Sequence, residues 1–319
     1  MRVRHIERWE ASLPVPPIVN EASEVGVQAC PLCGSRRSEV AFRDNGCSLR
    51  ACRNCELFFV DPYPTTVQGH MRVLFNLQDD IQILDCASRY RGERLYYDRH
   101  FDSIARECEG ATSILDVGCG TGHLLERLSQ WRGLYCTGIE LNPRAAAFAR
   151  RISRCDIFET PLEEFRIDRQ FDVITMINVF SHVPSFDGMF ASLLLALRPG
   201  GKLILRTSEM GSNVSRWNQA HWGIPDDLHF MGLRTLHFIC ARYGFAVVRH
   251  ERIPFEDELF RRSRWQQMGR SRALNVAKRA ALRLPGFLRV ARHAYTARLG
   301  KRLFVSLIVL TRKGASNEQ

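Results

Sequence analysis

The sequence predicts an α/β fold built on a mostly parallel sheet, with a small cysteine-rich unit in front of it. Three observations lead there. Strand-like and helix-like segments alternate from about residue 110 onward, a glycine-rich turn "DVGCGTG" joins the first of these strands to a helix, and two Cys-x-x-Cys pairs lie close together near the N-terminus. Alternation of this kind covers a parallel sheet with helices on both faces. At 319 residues and 45% hydrophobic side chains the chain is long enough for one full core and one smaller module.

The elements come in order along the chain. "SILDVG" reads as a strand, "HLLERLSQW" as a helix, "LYCTGIEL" as a strand and "PRAAAFARRI" as a helix opened by Pro143 in its first turn. A strand around "CDIFET", the strand "FDVITMINV", the helix "MFASLLLAL", the turn "RPGG" and the strand "KLILRTS" come next. The helix "LRTLHFICARY" runs through Gly244 into the strand "FAVVRHE", and "LFVSLIVLTRK" supplies the last strand. Ahead of these lies "SRYRGERLYYDRHFDSIAREC", with helical spacing at Leu95, Phe101, Ile104 and Ala105. The expected division is a ribbon over 28–62, a helical linker or lid over 63–109, and a main domain over 110–319 with a basic insertion at 257–300.

The N-terminal "MRVRHIERWEASLPVPPIV" mixes charge with apolar residues and reads as neither a secretory signal nor a membrane span. The run "LFVSLIVL" is too short to cross a bilayer, so a soluble, cytoplasmic protein is expected. Eleven cysteines in a reducing compartment argue for metal rather than disulfides. Cys30-x-x-Cys33 and Cys52-x-x-Cys55 each present two thiolates to one ion, and the two pairs complete the tetrahedron that Zn2+ prefers. Such a site is closed and structural. Cys47 lacks a partner at that spacing, and Cys119, Cys136, Cys155 and Cys240 sit among apolar neighbours as small core residues.

The glycine turn excludes two nucleotide classes. A P-loop needs Gly followed by Lys and Ser or Thr, which is absent; a dinucleotide fingerprint needs a third glycine where His123 stands. Asp116 precedes the glycines at 118, 120 and 122. A carboxylate there repels a pyrophosphate but suits the ammonium and sulfonium charges of S-adenosylmethionine. Glu140 ends the next strand, where a carboxylate accepts both ribose hydroxyls.

With these residues in hand, the stretch from about 110 to 252 resembles the class I S-adenosylmethionine-dependent methyltransferases. The motifs are "ILDVGCGTGHLL", "GIELNP", "FDVITMINVFSHVP", "LRPGGKLILRTS" and "LRTLHFICARYGF". The resemblance implies a Rossmann-like, seven-stranded sheet whose last strand is antiparallel and inserts beside the sixth. It places Asp116, Gly118 and Gly120 near the methionine part of the ligand, Glu140 on the ribose and Asn178 beside the sulfonium. The family's adenine contact just after the third strand falls here on Glu159 or Thr160. "RACRNCELFFVDPYP" resembles the zinc ribbon preceding the catalytic domain in a group of bacterial methyltransferases, several of which act on sugars or polysaccharide precursors.

The residues just after the fourth strand narrow the acceptor. An enzyme acting on an exocyclic base nitrogen would show Asn/Asp-Pro-Pro-aromatic there, and a cytosine C5 enzyme a Cys after Pro; this chain has "NVFSHVP". His182 stands at the ligand-facing edge and is the candidate general base, the alternative being a residue that packs on a helix start. The loop "EMGSNVSRWNQAHWGIPDDLHF" offers Trp217, His221, Trp222 and His229, either as a wall for a sugar or planar group or as anchors of the loop itself; Asp227 and His229 stand near a histidine common in relatives.

Between Asp257 and Gly300 there are eleven Arg or Lys against two acids, so most of the net charge of +11 is local. Two short basic amphipathic helices are expected, with Leu274, Ala277, Ala281 and Leu284 on one apolar face and Leu288, Ala291, Tyr295 and Leu299 on the other. They fit a membrane surface, a clasp on a phosphorylated acceptor, or a lid packed on the core. The expected activity is methyl transfer to a small-molecule or glycan-type acceptor, anionic and either phosphorylated or nucleotide-linked. An RNA methyltransferase and a catalytically inactive binding protein are the rival readings.

Overall fold

The structure is a computed structural model that describes residues 29–44, 46–63, 86–166, 169–209, 224, 227–232, 234–254 and 304–313. Trp217, His221, Trp222 and the basic insertion 257–300 lie outside the described residues.

Two sheets organise the molecule. The first holds β1 (Ser38–Asp44), β2 (Cys47–Cys52) and β3 (Phe58–Asp61). After α1 (Cys86–Glu107) comes the alternating part: β4 (Ser113–Val117), α2 (His123–Leu128), β5 (Tyr135–Ile139), α3 (Pro143–Ser153), β6 (Asp156–Phe158) and β7 (Phe171–Ile177). A 3-10 turn (Phe180–His182) then leads to α4 (Phe186–Ala196), β8 (Leu197–Glu209), β9 (His229–Phe230), α5 (Thr235–Tyr243), β10 (Phe245–Pro254) and β11 (Phe304–Arg312).

The main sheet runs β10-β11-β8-β7-β4-β5-β6. Strands β8, β7, β4, β5 and β6 run parallel to one another, and β11 inserts between β10 and β8, antiparallel to both. This is the seven-stranded arrangement the family resemblance implies. Local chemistry explains the element ends. Asn142 caps α3, its Oδ1 accepting from the N–H groups of Arg144 and Ala145 at 3.0 and 3.2 Å, with Pro143 in the first turn where no N–H is needed. Ser185 caps α4 by accepting from Gly188 N–H at 3.1 Å.

Two elements differ from expectation. The helix predicted to reach Trp131 stops at Leu128: Ser129 caps it, its N–H donating to the Leu125 carbonyl and its hydroxyl to the Glu126 carbonyl at 3.0 Å, and Trp131 N–H then closes a tighter turn on the Leu128 carbonyl at 3.0 Å. The "RPGG" turn is absorbed into β8 as an irregularity: Phe171 pairs with Leu197, but Val173 pairs with Lys202. On α1, Phe101, Ile104 and Ala105 are buried as their spacing predicts, while Leu95 lies outside the described side chains.

The small sheet is completed from the far side of the chain. β9 pairs antiparallel with β3, Phe58 opposite Phe230 and Phe59 opposite His229, giving the order β1-β2-β3-β9. One apolar cluster therefore runs from Leu32, Leu49 and Phe59 of the small sheet through Phe180, Phe186 and Phe230 to Leu205 and Ile308 of the main one. A second cluster fills the opposite face beneath α1, α2 and α3. Among the described residues no helix is long and apolar enough to cross a membrane.

Candidate active site

The carboxyl ends of β4, β5, β7 and β8 converge, and the predicted cofactor residues gather there. Asp116 is buried in the central strand β4, and its Oδ1 accepts from the Thr175 hydroxyl on β7 at 2.6 Å. The chain then turns at Gly118 and Gly120, with φ of 70° and 56°. Gly118 has no substitute. A Cβ on it would lie 2.3 Å from Val179 Cγ2, and its backbone is in the left-handed region that side chains avoid.

Glu140 follows β5 and reaches back over this turn. Its Oε2 accepts from Gly120 N–H and its Oε1 from Asn142 N–H, both at 2.8 Å. The carboxylate thus ties the glycine turn to the start of α3. Glu159 and Thr160 follow β6: Glu159 pairs with Arg150 at 2.6 Å, and the Thr160 hydroxyl donates to the Pro161 carbonyl at 3.4 Å.

Asn178 follows β7 with a φ of 57°, its N–H donating to the Arg206 carbonyl at 2.9 Å and its Oδ1 accepting from the Arg206 guanidinium. Arg206 is buried on β8 and escapes the sequence reading, because nothing local marks a cation inside "KLILRTS". His182 closes the 3-10 turn, half-buried, with Nε2 at 3.7 Å from Asp227 Oδ1. Sequence reading names Asp227 and His182 separately; their meeting is a product of the fold.

His229 is placed differently from a wall of an acceptor pocket. It is fully buried, with ring centroids 4.5 Å from Phe186 and 5.0 Å from Phe180, and its Nδ1 lies 3.1 Å from the Tyr63 hydroxyl. The apolar residues on both sides of His229 in "LHFM" are the signal that favours the anchoring alternative. Burial pushes the Tyr63 phenol above its ordinary value, so it stays protonated and able to donate.

The four knuckle cysteines meet. The Sγ atoms of Cys30, Cys33, Cys52 and Cys55 all lie within 4.8 Å of one another, with Cys30 to Cys55 at 3.6 Å and Cys33 to Cys52 at 3.5 Å. Four sulfurs about 2.3 Å from a tetrahedral zinc stand about 3.8 Å apart, so the donor set fits that ion. The Cys55 thiol hydrogen-bonded to Cys30 pulls Cys30 down to about 6, while the same contact pushes Cys55 up, and burial raises Cys52. Cys47 is buried and lies outside this cluster.

Of the other cysteines, Cys119 and Cys136 are buried and Cys155 and Cys240 half-buried. Burial pushes the Cys119 thiol up. Cys155, hydrogen-bonded by Cys136, is lowered to about 7, and Cys136 rises correspondingly.

Comparison with known proteins decides the family. A family model described as a methyltransferase domain matches residues 89–250, half of the chain. The chain belongs to the class I S-adenosylmethionine-dependent methyltransferases. It is 33% identical to the ubiquinone biosynthesis O-methyltransferase of Idiomarina loihiensis over 111 residues, 33% of this chain and 44% of that protein. It is 27% identical to the sterol 24-C-methyltransferase of Eremothecium gossypii over 172 residues, 50% of this chain and 46% of that one. This methyltransferase chain spans less than half the length of those curated relatives. Among solved structures, Haemonchus contortus phosphoethanolamine N-methyltransferase 2, in complex with phosphomonomethylethanolamine and S-adenosylhomocysteine, superposes with a TM-score of 0.55 at 15% identity, covering 81% of this chain and 63% of that one. At that identity the likeness is one of fold.

Proposed function

We propose that the chain transfers the methyl group of S-adenosylmethionine to a small glycan-type acceptor that is itself anionic, a phosphorylated or nucleotide-linked sugar. The observation that carries the methyl-transfer reading is the array at the carboxyl ends of β4 and β5: buried Asp116, the positive-φ turn at Gly118 and Gly120, and Glu140 reaching over it. The residues fit the group. The glycine turn carries no side chain and is flanked by two carboxylates, Asp116 and Glu140, which suits a ligand carrying an ammonium, a sulfonium and vicinal hydroxyls.

In this reading Asp116, Gly118 and Gly120 hold the methionine part, Glu140 the ribose, Asn178 lies beside the sulfonium, and Glu159 or Thr160 meets the adenine. S-adenosylmethionine supplies an electrophilic methyl on a positively charged leaving group. The protein's share is to orient the acceptor atom in line and to exclude water. His182 takes up the proton that the acceptor gives up as its bond to the methyl carbon forms.

Zinc on Cys30, Cys33, Cys52 and Cys55 is structural in this reading. All four donors are cysteine, which leaves no position for a reacting water. The basic segment 257–300 would supply positive charge between the last two strands, on the side where an anionic acceptor enters. Membrane contact through that segment and a cytoplasmic location belong to the same proposal.

The test is a methyl-incorporation assay of the zinc-loaded protein against nucleotide sugars, lipid-linked glycans and structured RNA, each with radiolabelled S-adenosylmethionine. Incorporation into a sugar-containing acceptor is the expected result. Incorporation into RNA alone, with steeply salt-dependent binding, would overturn the acceptor class.

A further inference from the structure

The zinc-ribbon unit is usually thought of as a module attached ahead of a catalytic domain, but in this chain its sheet is closed by a strand that lies two residues after Asp227. The backbone around Leu228 is held on both sides. Its carbonyl accepts from Val60 N–H of β3 at 2.9 Å, and its N–H donates to the Ser181 carbonyl of the 3-10 turn at 2.8 Å. Tyr63, just past β3, repeats the clasp with its side chain: the hydroxyl lies 3.1 Å from His229 Nδ1 and 3.4 Å from the Val183 carbonyl. Leu228, the residue after Asp227, thus bonds both to Val60 of β3 and to Ser181, and Val183 on the other side of His182 bonds to Tyr63, two residues past β3.

From this we propose that Asp227 is a positioning residue for His182, and that the ribbon serves catalysis by holding the two together. The proposal rests on the reading of His182 as general base. A carboxylate beside an imidazole favours its charged form and restricts its ring, which is what a base needs as it gains a proton. Among the described elements, β8 and β9 pack most closely on the 3-10 turn. Their ionisable groups are engaged elsewhere: Arg198 with Asp172, Lys202 with Glu107, Arg206 with Asn178, Glu209 with Arg252 and Ser306, and His229 with Tyr63. Asp227 is the carboxylate that pairs with His182 among the described residues.

The experiment is a histidine-ring NMR titration of the full-length, zinc-loaded protein, with the His182 signal assigned by its loss in His182→Gln. In Asp227→Asn the His182 midpoint should fall by about 0.5 pH unit or more, because an opposite charge within 4 to 6 Å favours protonation. Asp227→Glu should restore most of the shift. Asp227→Ser repeats the measurement on a second background, and circular dichroism checks that each variant is folded. A midpoint that does not move in either Asn or Ser overturns the proposal. The base reading is tested apart from it, by methyl incorporation in His182→Gln. Undiminished transfer there removes the base and the positioning role together, whereas an inactive His182→Gln with an unmoved midpoint removes the positioning role alone.

Discussion

The residues proposed to hold the cofactor are short-range neighbours, and that is why they are legible in the sequence. Asp116, Gly118 and Gly120 fall within one turn, and Glu140 ends the adjacent strand; the same strand–turn–helix logic that names them brings Glu140 Oε2 to 2.8 Å from Gly120 N–H. Arg206 and Tyr63 are illegible for the opposite reason, since their partners are 28 and 166 residues away. Two substitutions test the legible part. Glu140→Ala removes a charged acceptor from two backbone N–H groups as well as the proposed ribose partner. Calorimetry with S-adenosylhomocysteine should show affinity reduced by about tenfold or more, the equivalent of one charged hydrogen bond. Unchanged affinity would take Glu140 out of the site. Gly118→Ala sets a methyl against Val179 and forces a left-handed backbone, costing roughly 1–2 kcal/mol for the conformation alone. Its denaturation midpoint should fall, and adding Val179→Ala should recover the steric share only.

At the scale of elements, alternation and capping residues locate the strands and helices well, and the failures are instructive. Helix α2 ends three residues early at Leu128, and "RPGG" keeps its turn character inside β8: the register with β7 skips from Leu197 to Lys202, and the pairing with β11 stops at Lys202, so none of the four residues has a ladder partner. The order of β8, β11 and β10 has a further consequence at its carboxyl-ward edge. Glu209, 2% exposed, lies across from Arg252 of β10 at 2.6 Å and accepts from Ser306 of β11, with His250 Nε2 at 3.6 Å. Burial alone would raise this carboxyl, but the hydrogen bonds from His250, Ser306 and Arg252 outweigh it and hold Glu209 below its ordinary range. A carboxyl lowered in the folded state contributes stability that is present above its unfolded value of about 4.3 and is lost as pH falls through the lower folded value. Urea midpoints measured from pH 6 down to pH 3 should therefore decline more steeply for the native protein than for Glu209→Gln, which has no charge to lose. Parallel profiles would mean that the cluster does not contribute to acid sensitivity.

For the whole molecule, the two sheets behave as one structure. The ribbon is legible in the sequence as a unit, because four cysteines at knuckle spacing announce it. Its fusion to the rest is not, because β9 is two residues long and its pairing with β3 spans some 170 positions. The junction is close and polar as well as apolar. Gly232 approaches so tightly that a Cβ would fall 2.0 Å from the Glu56 carbonyl oxygen, the Thr235 hydroxyl donates to the Cys55 carbonyl at 3.0 Å, and Arg234 pairs with Glu56 at 2.8 Å. Arg242 of α5 adds a bond to the Leu32 carbonyl at 2.8 Å. A shared core with such seams should unfold cooperatively, so the zinc-loaded protein is expected to show one thermal transition rather than a ribbon step followed by a domain step. With zinc on the four cysteines as proposed, chelation should lower that single transition by on the order of 10 °C, since several kcal/mol of metal binding would be lost from a chain of this size. The alternative outcome is informative in physical terms: a separate low-temperature transition that chelation abolishes, with the main transition unmoved, would mean that the apolar cluster joining Phe59 to Phe186 carries little of the fold's stability.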